Sequence, residues 1–517
     1  MSADSPIVNL IRIVAVACVL VLTGCSLPTL ANRVPTSALR DTEATRLGEA
    51  ISPAVSSHPK LSAVHALPSD KEAFAARGLL AAAAERSIDA QYYIWQADRT
   101  GNLLLEALWQ AAERGVRVRL LLDDINTSGM DSRLATLAAH PNIEVRLFNP
   151  LINRRARWTN YLFDFGRINH RMHNKSFTVD NQVTIVGGRN VGDEYFDAGA
   201  AISYDDLDVL AIGDVVRAVS DEFDLFWNSA AAYPAGNLVG APSAGSVERL
   251  LASFRATHAD PEAMQYLAAL RATPLVSQLV ARQLEWEWVE ARLVFDDPAK
   301  AVDPKHRESQ LLLSRLLTTT ASPERQFDLI SPYFVPRGRG EAGLKSLAER
   351  GVQVRVLTNS LASTDVVEVH AGYAKHRKAL LRAGAHLYEL ERKPKSESSA
   401  EHKAGAKSFS GLHAKTFQID GKTVFVGSFN FDPRSARINT EMGVVLNSTA
   451  LADRLVSFFD TEVPSLSFEV VLNDKDQLRW LQKTSGDARA YDREPQTSVW
   501  RRTEARLFSI LPIEWLL

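Results

Sequence analysis

A chain of 517 residues is too long for one ordinary domain and long enough for two or three, each with its own core. Its 46% hydrophobic and 23% charged residues exclude a disordered or fibrous protein. A formal net charge of −2 excludes an overall positive field for nucleic acid, though not a local basic groove. The two cysteines, Cys18 and Cys25, exclude a disulfide framework or a cysteine-based metal site in the body of the protein.

Residues 13–22, IVAVACVLVL, form an uncharged stretch of signal-peptide length, too short to span a bilayer comfortably. Leu22-Thr23-Gly24-Cys25 follows and resembles the lipobox of bacterial lipoproteins. That resemblance predicts removal of residues 1–24 and lipidation of Cys25. Asp4 in the leading segment, with Arg12 as its only basic side chain, departs from the pattern. Acylation would hold the protein on a membrane of the bacterial cell envelope, facing the periplasm. Ser26 resembles outer-membrane sorting without fixing which membrane. Residues 25–68, rich in Ser, Pro and Ala, read as a tether.

Residues 69–230 alternate strand and helix. Residues 87–95 read as a strand, and 103–114 have helical apolar spacing that ends at Gly115 as a C-cap. Residues 116–122 alternate as a strand, and 143–148 form another. The stretch 153–171 interleaves Arg154, Arg155, Arg157, Arg167 and Arg171 with Trp158, Tyr161, Phe163 and Phe165. It reads equally as a lipid-access lip, a single-strand nucleic-acid groove or an ordinary loop. His173, Lys175 and Asp180 follow, then Gly187, Gly188 and Asn190. Residues 231–305 are mainly helical and have no counterpart elsewhere, as in an insertion or a clasp.

In residues 306–465 the first pattern returns. AERGVRVR at 112–119 recurs as AERGVQVR at 348–355, Tyr93 as Tyr333, and His173-Asn174-Lys175 as His413-Ala414-Lys415. His413, Lys415 and Asp420 precede Gly427, Ser428 and Asn430 with the internal spacing of the first motif. One order at nearly one spacing indicates two homologous halves. A C-terminal extension, 466–517, mixes Arg501, Arg502 and Arg506 with Leu507, Phe508, Ile510 and Trp515 near its end. That end fits a bilayer interface or docking on the body.

The duplicated His-x-Lys-x4-Asp motifs resemble those of the phospholipase D superfamily over most of the chain after about residue 73. MHNKSFTVDNQVTIVGGRNVGDEYF, LHAKTFQIDGKTVFVGSFNFDPRS, VVEVHAGYAKHRKALL and ILPIEWLL are most similar to the bacterial cardiolipin synthase C subfamily. The resemblance implies an α/β fold of two homologous halves, each a mixed sheet flanked by helices, sharing one active site.

The residue types support phosphodiester chemistry. A neutral imidazole can attack phosphorus, and a protonated one can give its proton to the departing alkoxide. Lys175, Lys415, Asn190 and Asn430 would hold the phosphoryl oxygens and offset developing charge, so neither metal nor cofactor is expected. The catalytic set is His173, Lys175, Asp180, His413, Lys415 and Asp420. Within it, Asp180 and Asp420 stand at strand ends, where they suit the motif turn better than the substrate. Family analogy makes His173 the nucleophile and His413 the acid/base, with the reverse left open by symmetry. Asp208 and Glu441 each precede an apolar strand and resemble the family's histidine-orienting acids.

The implied activity is a phosphatidyltransferase that joins two phospholipids into cardiolipin through a phosphatidyl-histidine. Phosphatidylethanolamine is the expected donor and phosphatidylglycerol the acceptor. Membrane phospholipids are the expected partners, and nucleic acid is disfavoured. The competing readings are a hydrolase of phospholipids, then a nuclease, then a lipid-binding scaffold. The intact duplicate motif argues against the scaffold.

Overall fold

The computed structural model describes residues 27–30, 33–200, 202–281, 283–303, 308–393, 409–483, 488–512, 514 and 516–517. The segment 1–24 and Cys25, expected to be cleaved and lipidated, lie outside the described residues. Among the described residues no helix is long and apolar enough to cross a membrane.

The first half supplies β1 (Ser62–Leu67), β2 (Ser87–Tyr92), β3 (Arg117–Asp123), β4 (Ile143–Phe148), β5 (Ser176–Val179), β6 (Val183–Gly187), β7 (Ile202–Asp205), β8 (Asp208–Gly213), β9 (Ala232–Pro234) and β10 (Glu287–Val289). All but β7 form one sheet in the order β10-β1-β8-β6-β5-β2-β3-β4-β9. The second half supplies β11 (Ala291–Phe295), β12 (Gln326–Ile330), β13 (Gln353–Asn359), β14 (His386–Leu390), β15 (Phe409–Leu412), β16 (Thr416–Ile419), β17 (Thr423–Gly427), β18 (Met442–Asn447), β19 (Ser467–Leu472), β20 (Leu478–Lys483) and β21 (Ala488–Tyr491). Its sheet runs β11-β18-β17-β16-β12-β13-β14-β19-β20-β21. The run β8-β6-β5-β2-β3-β4 is thus repeated as β18-β17-β16-β12-β13-β14, as the sequence repeat predicts.

Local chemistry explains the repeat. Asp98 caps the helix Arg99–Glu113 by accepting from the Gly101 N–H at 2.9 Å, and Leu104, Leu108, Ala111 and Ala112 bury its inner stripe. Gly115 then takes φ +92° and Gly351 φ +88°, the left-handed position that ends a helix and that side chains resist. Truncating Leu108 to Ala would cost about 2–5 kcal/mol as a cavity. The shared arginine of the two repeats is buried and paired: Arg119 grips both oxygens of Asp89 at 2.7 Å, and Arg355 those of Asp328 at 2.6 and 2.8 Å.

Two expectations change. Residues 33–67 are not a loose tether. Arg33 donates to the Asn228 and Ala232 carbonyls, Ala38 N–H to Asp224, and β1 lies inside the first sheet between β8 and β10. The stretch 231–305 is helical only in part. It ends in β10 and β11, which join one sheet and then the other, so it links the two sheets. The C-terminal extension adds β19, β20 and β21 to the second sheet. The sheets face each other across an apolar layer in which Val186, Val209 and Val215 meet Val424, Val444 and Leu446. That shared core fixes the two motifs relative to one another.

Candidate active site

Two short parallel pairings between the halves build the site. Leu412 in β15 is opposite Asp205 in β7, so the next residues, His413 and Asp206, stand side by side. Met172 bridges Thr440 in parallel, so the next residues, His173 and Glu441, do the same. Backbone bonds secure both: His413 N–H to Asp205 O and His173 N–H to Thr440 O, each 2.9 Å. Each histidine therefore meets a carboxylate from the other half. His413 Nδ1 lies 2.5 Å from Asp206 Oδ2, and His173 Nδ1 lies 2.8 Å from Glu441 Oε2. A carboxylate acceptor keeps the ring proton on Nδ1 and leaves Nε2 for substrate.

The sequence reading of Asp208 is corrected by this geometry. Asp208 binds Arg77 at 2.8 Å and lies 3.6 Å from Arg189, within the first half. Asp206 takes the orienting position instead. Gly188 makes room for it, since a Cβ there would stand 2.2 Å from Asp206 Oδ1. In the second half Ser428 fills the equivalent place and donates its hydroxyl to Glu441 at 2.5 Å.

Asp180 and Asp420 leave the catalytic set for the turn role that their strand-end positions suggest. Asp180 accepts from the N–H groups of Arg86 and Ser87 at 2.8 Å and of Glu85 at 3.1 Å. Asp420 does the same for Glu324, Arg325 and Gln326 at 3.0, 2.8 and 2.9 Å. Both have positive φ, +51° and +54°, and clamp the strand start that runs beside each motif strand.

His173, Lys175, His413 and Lys415 are buried together. The lysines donate to the carbonyls of their own histidines, Lys175 at 2.5 Å. Burial and then Lys175 and Lys415 hold His173 well below the usual imidazole value; burial and Lys415 bring His413 down to about 4, against the pull of Asp206. Burial lowers Lys175 strongly and Lys415 to about 8. Burial pushes Glu441 up to about 7 despite Lys175 and Ser428. Asp206 behaves oppositely: burial acts upward, but His413 and Lys415 outweigh it and hold the carboxyl below its usual range. Four nitrogen groups crowded in low dielectric repel one another's protons, and an anion placed among them relieves that repulsion.

Asn190 Oδ1 accepts from Ile94 N–H at 3.2 Å, while its Nδ2, like Asn430 Oδ1, is buried without a protein partner. Aromatic rings flank both histidines: Tyr93 stands 5.0 Å from His173, and Tyr195 and Tyr204 each 5.2 Å from His413. The tyrosines at 195 and 204 have no sequence pattern to announce them. Tyr333, the repeat partner of Tyr93, donates to Asp365 at 2.8 Å.

Two α/β halves exchanging acids across one buried pair of His-Lys motifs have the architecture of a phospholipase D-type enzyme. The profile described as "Cardiolipin synthase, PLD-like domain" matches twice, over residues 79–227 and 316–463. "Cardiolipin synthase C" of Escherichia coli (strain K12) is 47% identical over 477 residues, 91% of this chain and 100% of that protein. An uncharacterized protein of Helicobacter pylori (strain ATCC 700392 / 26695) is 31% identical over 80% of this chain and 82% of its own length. The crystal structure of phosphatidylserine synthase from Haemophilus influenzae Rd KW20 superposes with a TM-score of 0.55 at 12% identity, covering 91% of this chain and 99% of that one, a likeness of fold. The chain belongs to the phospholipase D-like family of the cardiolipin synthases and is an enzyme of the phosphatidyltransferase and phospholipase D type.

Proposed function

We propose that the chain joins two phospholipids into cardiolipin, taking a phosphatidyl group from phosphatidylethanolamine and passing it to phosphatidylglycerol. The observation that carries this reading is the crossed pairing, which leaves both Nε2 atoms available on one buried, lysine-flanked site. The relative named cardiolipin synthase C, alike over nearly the whole chain, supports the choice of lipid.

In the first step His173 Nε2 attacks phosphorus, the bond from phosphorus to the ethanolamine oxygen breaks, and protonated His413 gives that oxygen its proton. In the second, His413 takes the proton of a phosphatidylglycerol hydroxyl. The hydroxyl oxygen attacks phosphorus, the phosphorus–nitrogen bond breaks, and His173 is regenerated. The unequal acids favour this division of labour. Asp206 stays charged and opposes the fall of His413 to about 4, so His413 holds a proton once the phosphodiester anion offsets Lys175 and Lys415. Glu441, near 7 and shared with Ser428, places less charge beside His173. Lys175, Lys415, Asn190 and Asn430 hold the phosphoryl oxygens. A buried site limits water, the competing acceptor. Lipidated Cys25 would keep the enzyme on an envelope membrane, facing the periplasm.

Mixed phosphatidylethanolamine and phosphatidylglycerol vesicles should yield mainly cardiolipin, with phosphatidic acid minor. Chiefly phosphatidic acid would replace the reading by a phospholipase. Untouched lipids together with cleaved single-stranded DNA would remove the lipid assignment.

A further inference from the structure

Two segments expose large apolar side chains that the chemistry above does not use. In the helices Trp158–Phe163 and Phe165–Ile168, Trp158, Leu162 and Phe163 are 67%, 66% and 86% exposed. In the helix Val499–Ile510, Trp500, Leu507 and Ile510 are 83%, 62% and 79% exposed. That helix buries Ala505 and part of Phe508 against Leu361 and Val367, so Trp500, Leu507 and Leu511 form a stripe away from the body. Clusters of such groups mark an interaction surface rather than ordinary exposure.

Arg434, which follows Asn430 of the second motif, ties the two segments to one margin of the site. Its guanidinium donates to the Asn169 carbonyl at 3.2 Å, at the end of the helix Phe165–Ile168. Its backbone N–H donates at 2.7 Å to the carbonyl of Leu517, beyond the helix Val499–Ile510. Glu514 pairs with Lys375 and holds the same terminal stretch to the body.

The charge around these helices is basic. Asp124 and Asp131 pair with Arg154, and Asp164 with Arg167. Arg155 is exposed, whereas Arg157 donates to the Asp124 carbonyl and the Thr127 hydroxyl, each at 3.2 Å. Arg155, Arg157 and Trp158 line a cleft of about 480 Å³ with the loop that contains Ser128 and Gly129. Arg506 is exposed beside Leu507.

We infer that the two segments form one docking surface for an anionic phospholipid bilayer. Their apolar side chains enter the acyl boundary, and the exposed Arg155 and Arg506 meet headgroup phosphates. This rests on the lipid reading above and adds to it where lipid meets the protein. It sets the margin of the site against the membrane, independently of any anchor at the N-terminus.

The test uses the full chain on vesicles of phosphatidylcholine, phosphatidylethanolamine and phosphatidylglycerol with brominated acyl chains, which quench tryptophan only at contact depth. Trp158→Phe and Trp500→Phe should each remove part of the quenching. Phe163→Asp combined with Leu507→Asp should weaken docking by at least about tenfold, with melting temperature unchanged. Leaving out phosphatidylglycerol should also weaken it. Unaltered quenching in these variants would overturn the inference, as would variants that alter only self-association, which would make a second copy the occupant. Cardiolipin is measured in the same vesicles. Product formed without quenching of Trp158 and Trp500 sinks the docking surface alone. Quenching as expected without product sinks the functional reading alone.

Discussion

Replacing Asp206 by Asn isolates the crossed pairing. The buried carboxylate holds His413 Nδ1 at 2.5 Å and stays charged. An amide of the same shape removes the charge that would stabilise an imidazolium, and its NH2 group permits the other tautomer, with the proton on Nε2. Losing a comparable acid behind a catalytic histidine costs roughly 10⁴ in turnover, or about 5 kcal/mol of transition-state stabilisation. Asp208→Asn is the control. Its carboxylate serves Arg77 at 2.8 Å and Arg189 at 3.6 Å, so the loss leaves buried guanidinium charge under-paired. That costs on the order of 3–5 kcal/mol of stability and little chemistry per folded molecule. Single-turnover cardiolipin formation, normalised to folded protein by thermal melting, separates the two. Turnover of Asp206→Asn within tenfold of the parent would refute the reasoning, and so would a folded Asp208→Asn that is equally inactive.

Other positions give independent checks. Glu222 is buried, its Oε1 accepts from Asn174 Nδ2 at 2.7 Å, and burial pushes the carboxyl from 4.5 up to about 8. The native state keeps a proton that the unfolded chain releases, so this group's contribution is full below about pH 4.5 and is lost as pH rises toward 8. Glu222→Gln should flatten the fall in stability between about pH 5 and 8 in chemical denaturation; parallel curves would count against it. Asp180→Ala deprives three N–H groups of their acceptor and should cost about 3 kcal/mol in a melt, with kcat near normal while folded. The more exposed Asp420 should cost less when changed to Ala, and a kcat defect in either folded variant would return these residues to the catalytic set.

The motifs, the repeat and the strand at Ile143–Phe148 are legible in the sequence because they are local patterns. The choice between Asp206 and Asp208 is legible too, though not by counting from the histidine, since the intervening loops differ in length. Matching DDLDVL with TEMGVV places Asp206 opposite Glu441 and Asp208 opposite Gly443. The strand registers agree, with Gly187 opposite Asp208 and Gly427 opposite Gly443. The crossing of each acid to the other half's histidine is not legible, because β7–β15 and Met172–Thr440 pair residues far apart in the chain. Composition misreads residues 33–67 for the same reason. Ser, Pro and Ala describe local propensity, whereas β1 is ordered by distant β8 and β10.

The central claim is that two motifs make one site with one nucleophile. Rapid quenching with donor lipid labelled in its phosphatidyl group, in the absence of acceptor, followed by peptide mapping, tests it most directly. The account predicts at most one label per chain, on the peptide that contains His173. Two labels per chain, or a label on His413 alone, would contradict it.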